Sequence, residues 1–514
     1  MKKSFIYLLL IVILGSCQDR LEIENQESNL KQKQTSSEFT IPMDEALLYL
    51  EDYLSNFDND DTKSSKKRSV KSITPITNKL TKTESQTDSL INGPILYVAN
   101  FDNNEGYAIL AADNRIDEPI LVITDNGYMD EAVLYDAMSG IEGGIERDRV
   151  TIEGYPTTGD GFPTLPETGD EVFMNPNTVD LYDASVQDTY VGNLNLGDYG
   201  AVDENGNSVT TEINDIAAPL ELIADLCVSY AFDQIRNDII DSGSMPTDDD
   251  DPIITREVNM SGWTTKYIVS PILWEFRYWR QDSPFNDLSP MRRSLKNLRY
   301  TRLAPAGCFP LSVGKILAYF QYPQTYTVQG VSIDWNAIKF PYTTEVGKTS
   351  AAYLMKNIAS ECYSIYFYNG TFTFPSFVRS FMRSKGYNNA NSYNYDFSRV
   401  KAMLDVSAPV IIYSIPGIDI TRSHSWLIDG YKIQERIVTT RVYENNILIE
   451  TTVSTQTSSM VHCDFGWRTE SNGYYVSGLF KLKDSTVEPD PGTEHKNELH
   501  YNNYLKIITY DKPL

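Results

Sequence analysis

One cysteine, Cys308, stands directly before an amphipathic helical pattern in the stretch PAGCFPLSVGKILAYFQYP, residues 305–323. A thiol is a good nucleophile only as thiolate, and its ordinary pKa of about 8.5 leaves little of it ionised at neutral pH. A helix N-terminus and a neighbouring imidazolium both lower that pKa. Cys308 is therefore either a small buried core residue or a nucleophile at the start of a helix.

The base that such a thiol needs must come from four histidines, namely His424, His462, His495 and His500. His424 lies in SHSWLIDGY, between a turn and an apolar strand, a place from which an imidazole can face a cleft. An imidazole also needs an orienting acceptor, and Asp464 is the candidate. Simpler interpretations stay open, because Cys308 could pack in a core and Asp464 could cap a strand.

Backbone groups around the cysteine suit the same chemistry. Gly307 would let the chain approach a substrate closely, and the N–H of Cys308 could donate to an oxyanion. Pro310 fits a first helical turn, where its missing N–H is no loss. Cys362 and Cys463 lie inside periodic apolar runs, which predicts that they are packing residues.

From about residue 263 the chain moves from helical to strand patterns that could hold these side chains. Helical spacing comes first, in LSVGKILAYFQ, AAYLMKNIASECYSIYF, FPSFVRSFMRSKGY and FSRVKAMLD. Strand patterns follow, in PVIIYSI, SWLIDGYKI, RIVTTRVYE, ILIETTVSTQT, MVHCDFGW, GYYVSGLFKL and YLKIITY, with a hairpin around Glu444, Asn445 and Asn446. Helices followed by antiparallel strands predict an α+β fold with segregated layers.

The region before residue 257 predicts a separate α+β unit. EALLYLEDYLSNF has helical spacing, and PILYVANF, GYAILAAD and PILVIT are strand-like runs. The Ser-, Thr- and Lys-rich stretch 62–85 predicts an exposed loop. Residues 128–256 are rich in Gly, Asp, Pro and Thr and contain one helical pattern, LELIADLCVSYAFDQIRNDII. The pattern assigns this long acidic segment no function.

The first residues indicate export. Lys2 and Lys3 precede the apolar run FIYLLLIVIL, which is too short to span a bilayer, and LGSC follows it. Small residues ending at Cys17 resemble a bacterial lipobox, in which this cysteine is lipidated and becomes the mature N-terminus; a plain signal peptide is the alternative. We expect an envelope protein anchored to the outer membrane by its lipid, with surface display and release after processing both left open.

The composition of the chain excludes some classes of binding partner. Asp and Glu number 70 against 44 Lys and Arg, a formal net charge of −26. Such a chain repels phosphate backbones, so nucleic acid is not expected as a partner. Four cysteines beyond Cys17 are too few for a disulfide scaffold in a chain of 514 residues. No cofactor and no metal are expected.

Four blocks of the C-terminal region match, in order, motifs of a known family. WRQDSPFND resembles the segment W-N-Q-x-x-P-[YF]-N, and AGCFPLSVGKILAYFQYP resembles the nucleophile helix [TA]-G-C-V-A-T-A-x-A-Q-I-[ML]-x-Y-x-x-[YW]-P. SHSWLIDGY resembles the histidine strand G-H-[AS]-x-x-[IVC]-D-G-Y, and VHCDFGWRTESNGYY resembles H-x-N-W-G-W-x-G-x-x-[ND]-G-[YF]-[YF]. The region, about residues 279–480, therefore resembles the streptopain family of papain-like bacterial cysteine proteases.

The resemblance implies a role for each matching residue. Cys308 would be the nucleophile, His424 the base, and Gln281 the oxyanion-hole amide that works with the N–H of Cys308. Asp464 stands where the family has the Asn that orients the histidine, and Trp467 matches the aromatic residue that shields this pair.

Some positions depart from the family pattern. The family's Asn is Asp464 here, and the Trp after it is Phe465. A carboxylate can accept from a histidine N–H and favours the imidazolium, so we expect activity to survive. FPLSVGK replaces a run of small residues after the cysteine, and Arg-Thr-Glu replaces a glycine-rich turn after Trp467. Both changes predict altered walls of the cleft.

The N-terminal region fits the same family. Residues 100–130, NFDNNEGYAILAADNRIDEPILVITDNGYMD, resemble its propeptide. The resemblance implies a prodomain that packs on the catalytic domain and displaces the histidine until it is cleaved away; an independent binding domain is the alternative. Cleavage is predicted between residues 248 and 266, where Arg256 and Lys266 offer basic sites.

Together the patterns predict a secreted, lipid-anchored zymogen of a cysteine endopeptidase. Its expected segments are a signal peptide (1–16), a tether (17–38), a streptopain-type propeptide (39–256) and a papain-like peptidase domain (257–514). Expected partners are protein or peptide substrates, the prodomain as an intramolecular inhibitor, and a membrane through the lipid. A catalytically inactive surface-anchored binding protein of the same fold and a Cys-His cell-wall amidase are the alternatives, the latter disfavoured by the Gln281 block.

Overall fold

The structure is a computed structural model that describes residues 39–60, 68–77, 93–142, 201–202, 208–209, 217–241, 254–293, 301–366, 370–414, 423–481 and 505–513. The predicted signal peptide and tether with Cys17, much of the acidic segment 128–256, and His495 and His500 lie outside the described residues. In the described part of the chain, no helix combines the length and apolar character that crossing a membrane requires.

Helices form at the six predicted patterns, and one further helix in the described residues, Glu131–Glu142, lies in the segment 128–256 where the sequence pattern did not predict it. The described residues contain α1 (Met43–Asp60), α2 (Glu131–Glu142), α3 (Ala217–Asp241), α4 (Cys308–Phe320), α5 (Glu345–Glu361), α6 (Pro375–Ser384) and α7 (Phe397–Asp405). Side chains cap three of them, because Asp130 accepts from a backbone N–H at the start of α2, Thr344 does so at the start of α5, and Asp396 at the start of α7. Helix α4 begins at Cys308, and its first backbone hydrogen bond runs from Leu311 N–H to Gly307 C=O at 3.0 Å.

Twelve antiparallel strands in the described residues form one sheet. They are β1 (Val70–Thr77), β2 (Pro94–Phe101), β3 (Tyr107–Ala111), β4 (Ile120–Thr124), β7 (Ile254–Met260), β8 (Thr264–Val269), β15 (Asn391–Asn394), β16 (Val410–Ser414), β17 (His424–Glu444), β18 (Ile447–Asp464), β19 (Gly473–Val476) and β20 (Leu505–Thr509). The order is β1-β2-β3-β4-β19-β18-β17-β16-β20-β15. Strands β8 and β7 extend the pairing of β17 beyond β16.

In the part of the chain that the structure describes, four small hairpins lie outside this sheet. They are β5 (Ala201–Val202) with β6 (Ser208–Val209), β9 (Met291–Arg293) with β10 (Thr301–Leu303), β11 (Thr327–Val328) with β12 (Val331–Ser332), and β13 (Ile365–Tyr366) with β14 (Thr371–Phe372).

The N-terminal unit and the C-terminal domain share the large sheet, because β4 pairs directly with β19. Buried side chains form two cores, which take alternate residues of the shared strands and so lie on opposite faces of the sheet. The first core joins side chains of β2, β3, β4 and α3 to Trp426 and Phe465. The second core contains α4, α5 and Leu427. The predicted α+β fold class is confirmed.

Two predictions about elements need correction. The stretch 62–85 was expected to be an exposed loop, but Val70–Thr77 forms strand β1 on the edge of the sheet, with Ile76 fully buried. Its alternating β-branched residues supply an apolar face that offsets the polar composition of the stretch. The boundary predicted at residues 256 and 257 falls inside β7, which is paired along its length with β17.

The β17–β18 hairpin is longer than its sequence pattern suggests. SWLIDGYKI and RIVTTRVYE belong to one strand, as do ILIETTVSTQT and MVHCDFGW. The predicted turn is confirmed, with Asn445 and Asn446 at φ of 49° and 65°, the left-handed values that a tight hairpin turn requires. The hairpin brings His424, at the start of β17, close to the end of β18.

Candidate active site

Gly307 sets the backbone at the start of α4. Its φ is +103°, and a Cβ atom there would lie 3.0 Å from Pro310 Cδ and 3.1 Å from Thr371 Cγ2. The Thr371 hydroxyl also donates to the Pro305 carbonyl at 2.6 Å, which fixes the loop before the helix. A residue with a side chain would displace this turn, so the glycine is needed to place the Cys308 thiol and N–H at the helix start.

Gln281 lies next to this turn. It is buried, and its backbone carbonyl accepts from the N–H of Ala306 at 2.8 Å. Trp279, two residues before it, is fully buried and donates from Nε1 to the Ile338 carbonyl at 3.1 Å. The Gln281 segment is therefore anchored on one side to the second core and on the other to the segment that carries Cys308.

The His424 imidazole lies in an aromatic enclosure. It stacks on Trp426, Phe465 and Trp467, with ring centroids 5.8, 6.2 and 6.0 Å away. Its Nε2 is buried without a hydrogen-bond partner in the described residues. Burial lowers the pKa of His424 to about 4, against a smaller opposing effect of the Phe465 backbone. This histidine is neutral at physiological pH.

Cys308 and His424 lie on opposite faces of β17. The Ser425 side chain points to α4, with its hydroxyl 3.4 Å from that of Ser312, and Leu427 joins the second core. His424 and Trp426, the alternate residues, point to the first core. Nε2 of His424 has no hydrogen-bond partner in the described residues, so it makes no bond to the Cys308 thiol in this structure.

The Cys308 thiol is held in its protonated form. Burial raises its pKa to about 11, and the backbone groups of Ser425, Phe309 and Cys308 itself only partly oppose this rise. The helix N-terminus alone therefore does not generate a thiolate here. A neutral thiol and a neutral imidazole on opposite faces of the sheet make an inactive arrangement.

Asp464 binds a lysine and not the histidine. Lys315 Nζ, on α4, donates to both carboxylate oxygens of Asp464 at 2.8 and 2.7 Å, and the Gly466 N–H donates to Oδ1 at 3.0 Å. Both side chains of the ion pair are almost completely buried. The predicted Asp464–His424 hydrogen bond is absent from the described contacts because Asp464 faces α4 while His424 faces the other way.

The bulky residues after Cys308 do not form a cleft wall, contrary to the expectation from sequence. Phe309, Pro310 and Leu311 are all buried, and the Phe309 ring lies 5.4 Å from that of Tyr413 in the second core. The Arg-Thr-Glu turn is held in place by the N–H of Arg468, which donates to the Trp279 carbonyl at 3.2 Å. These substitutions change the packing under the site.

The N-terminal unit and the C-terminal domain meet beside this turn. The Asp125 N–H donates to the Asn472 carbonyl at 2.8 Å, and the Ser471 N–H donates to the Asn126 carbonyl at 3.3 Å. His462 lies between two carboxylates, with Nδ1 2.6 Å from Asp429 and Nε2 3.4 Å from Asp125 of the N-terminal unit. Burial lowers the pKa of His462, but the two carboxylates more than offset this and raise it to about 10.

Sequence reasoning did not identify Lys315 and His462 as parts of the site. The signal for Lys315 was a lone cation in an otherwise apolar helical pattern, because such a charge needs a buried partner. For His462 a single alternating strand gave no indication of the two carboxylates, which come from distant segments. No group of three or more His, Cys, Asp or Glu side chains suited to a metal occurs in the described part of the chain.

Comparisons with known proteins cover both halves of the chain. Residues 279–475 match the Peptidase C10 family, and residues 34–141 match the Spi protease inhibitor family. No curated protein sequence matches the chain. Among solved structures, a prointerpain A fragment of Prevotella intermedia is similar at 15% identity, with 86% of this chain and 100% of that chain covered and a TM-score of 0.40.

The active wild-type interpain A cysteine protease of the same organism is also similar, at 20% identity and a TM-score of 0.31, over 47% of this chain and 94% of that chain. The C10 match contains Gln281, Cys308, His424, Asp464 and Trp467, and the inhibitor match contains β1 to β4.

Proposed function

We propose that the chain is a secreted, lipid-anchored endopeptidase precursor that its own prodomain holds inactive. The premise is that it carries a cysteine peptidase domain of the C10 (streptopain) family behind a Spi-type inhibitor domain. The observation that carries the proposal is the position of His424. Its imidazole lies among Trp426, Phe465 and Trp467, on the face of β17 opposite to Cys308, while prodomain strand β4 completes the same sheet.

Latency follows from the protonation states of the two groups as well as from their positions on opposite faces of the sheet. With a thiol pKa of about 11 and an imidazole pKa of about 4, neither group is ionised at neutral pH. Removal of the prodomain takes away the side chains of β2, β3 and β4 that share the first core with Trp426 and Phe465. Because His424 is the first residue of β17, its side chain can turn towards α4 without breaking the rest of the ladder. An imidazole next to Cys308 then takes its proton and favours the ion pair.

The reaction proposed for the released domain is acyl transfer. The Cys308 thiolate attacks a peptide carbonyl, and the Cys308 N–H with the Gln281 amide donates to the oxyanion. The His424 imidazolium gives its proton to the leaving amine, and water then hydrolyses the thioester to regenerate the thiol.

Thiol alkylation against pH tests this proposal. In the full-length chain we expect Cys308 to react with iodoacetamide with an apparent pKa of about 11. In the processed form the apparent pKa falls below the ordinary value of about 8.5, and casein is cleaved until a thiol-directed epoxide is added. Cys308→Ala is the matched control, because Cys227, Cys362 and Cys463 are fully buried and give only background.

An unchanged alkaline pKa after processing would overturn the proposal and favour the inactive surface-anchored binding protein. Proteolysis that persists in Cys308→Ala would exclude Cys308 as nucleophile. Digestion of peptidoglycan, with protein left intact, would select the cell-wall amidase.

The lipid anchor is a separate part of the proposal and rests on the first residues. The basic start, the short apolar run and the small residues before Cys17 support it. We expect a labelled fatty acid to be incorporated into the expressed chain and lost in Cys17→Ser. Protease accessibility on intact cells then distinguishes surface display from an inward-facing anchor. Incorporation of label into Cys17→Ser would contradict lipidation at this residue.

A further inference from the structure

Two departures from the streptopain pattern meet in one buried contact. Lys315 stands where the nucleophile-helix pattern has Gln, and Asp464 stands where the last block has Asn. The two side chains are 1% and 2% exposed and are joined at 2.7 Å. Two neutral amides in the pattern are thus replaced by two opposite charges that bind each other, so the summed charge at the two positions is unchanged.

Either charge, buried without the other, would destabilise the protein. A buried carboxylate or ammonium without a partner costs far more than its packing gains, so each residue requires the other. Burial raises the pKa of Asp464, and the charge of Lys315 is the strongest effect that opposes this rise. Lys315 therefore keeps Asp464 available as a carboxylate.

The carboxylate has room for one further donor. A carboxylate offers about four lone-pair directions. In the described contacts Oδ1 accepts from Lys315 and Gly466, and Oδ2 accepts from Lys315 alone. One direction on Oδ2 is left, which is what a histidine N–H would occupy.

Residues next to Asp464 in the chain already contact the His424 ring. Phe465 and Trp467, one and three residues further on, stack on the His424 ring. A turn of this ring from the first core to the α4 face brings it to the segment that carries Asp464, without moving β18. The ion pair also fixes the end of β18 to the helix that carries Cys308.

We propose that Lys315 is a positioning residue of the peptidase: it holds the Asp464 carboxylate ionised and fixed against α4, ready to receive the His424 imidazole when the prodomain leaves. This inference rests on the proposed function, since it presupposes that Cys308 and His424 act as a pair. It assigns a role to Lys315 that the motif alone does not indicate, because the family pattern has Gln there.

The test compares Lys315→Gln, Asp464→Asn and the double variant K315Q/D464N in the processed enzyme. Each single change leaves a buried charge without its partner, and we expect kcat/KM to fall by about tenfold or more. The double variant restores two neutral amides and should retain activity within about fivefold of the parent. Its alkaline limb in the pH profile of kcat/KM should move to lower pH, because the imidazolium loses a neighbouring carboxylate.

Glu361→Gln provides the matched control. It breaks the ion pair between Glu361 and Lys385, which lies at 2.8 Å on the same domain but involves no residue of the candidate site. We expect its pH profile to match that of the parent. Thermal unfolding of all variants separates a loss of stability from a change in the profile.

A double variant with an unmoved alkaline limb would overturn the assignment and leave Lys315–Asp464 as a packing contact, while the proposed function would stand. A double variant no more active than the single variants would overturn it as well. If the single variants do not fold, the alkaline limb of the double variant against that of the parent decides the question alone. A parent without thiol-dependent proteolysis refutes the proposed function, and the role of Lys315 falls with it.

Discussion

The packing of the segment around Asp464 against α4 depends on single residues beneath the site. Gly466 has a φ of +75°, and a Cβ there would lie 2.7 Å from Cδ2 of the buried Leu311. Gly466 also donates its N–H to Asp464. The bulky Leu311, in place of the small residue that the family pattern has, is thus accommodated by a glycine on the facing turn and not by the substrate cleft.

We expect Gly466→Ala to destabilise the protein by about 2–3 kcal/mol, from left-handed backbone strain together with overpacking against Leu311. Gly330→Ala is the matched control, because Gly330 has a φ of +85° but no atom within 4 Å of the new Cβ. It should cost only about 1 kcal/mol of strain. Urea unfolding of both variants measures the difference, and equal losses would show that Leu311 yields without cost.

At the scale of elements, the strands that flank the predicted cleavage region constrain processing. Arg256 lies in β7, which is paired with β17 from Ile254 to Met260. Lys266 lies at an irregularity in β8 whose neighbours remain paired, and its ammonium binds Glu435 at 3.0 Å. A protease needs an extended, unpaired segment in its cleft, and these bonds are engaged in the sheet.

We therefore expect cleavage on the N-terminal side of Ile254, so that β7 and β8 stay with the mature enzyme. N-terminal sequencing of the processed form checks this directly. Arg256→Gln and Lys266→Gln should mature at the rate of the parent. A mature N-terminus at residue 257 or 267 would show that the strands open before cleavage.

Local pattern predicted most elements but not how they join. The helices around LELIADLCVSYAFDQIRNDII and LSVGKILAYFQ, the strand PILYVANF and the turn at Asn445 and Asn446 are where the sequence placed them. Strands β7 and β8 were missed, because half-exposed edge strands have no strong apolar alternation. The backbone of Gln281 lies beside the turn that carries Cys308, but the face on which His424 lies could not be foreseen. That face depends on tertiary packing of Trp426, Phe465 and Trp467, which no local spacing encodes.

At the scale of the whole molecule, latency depends on one continuous core under both domains. Strand β4 pairs with β19, and Gly473 of the catalytic domain lies directly opposite Thr124 of the prodomain. A Cβ at Gly473 would be 2.4 Å from the Ile123 carbonyl oxygen and 2.5 Å from Thr124 Cα. These nearest atoms all belong to the prodomain, so the glycine serves the docked state.

We expect Gly473→Ala to weaken docking of the prodomain by about 1–3 kcal/mol, a shift of about 5- to 150-fold in the docking equilibrium. Full-length Gly473→Ala should then convert to the active form faster than the parent, as followed by hydrolysis of a peptide substrate. The processed variant should unfold at the temperature of the processed parent. Conversion at the slow rate of the parent would contradict the prediction. It would mean that the contact between β4 and β19 at Gly473 does not hold the prodomain in place.

Two titratable groups between the prodomain and the catalytic domain, the half-buried Glu118 and the buried His462, make the stability of the docked state depend on pH. Burial raises the pKa of the prodomain residue Glu118 to about 7, against the opposing effects of Ser458 and Arg436. The carboxylates of Asp429 and Asp125 raise that of His462 to about 10. Both groups hold their proton more tightly in the docked fold than in the unfolded chain, where their pKa values are about 4.3 and 6.5.

Both groups change the stability of the folded protein in the same direction as pH rises. The contribution of Glu118 is present below its unfolded pKa and is lost as pH rises through about 7, and that of His462 is lost as pH rises through about 10. We expect the melting temperature of full-length Cys308→Ala to fall across both windows. Glu118→Gln should flatten the lower window and Asp125→Asn should weaken the upper one. A melting temperature that rises with pH through 7 would contradict the raised pKa of Glu118. Release of the prodomain would then be favoured in acid and not at neutral and alkaline pH.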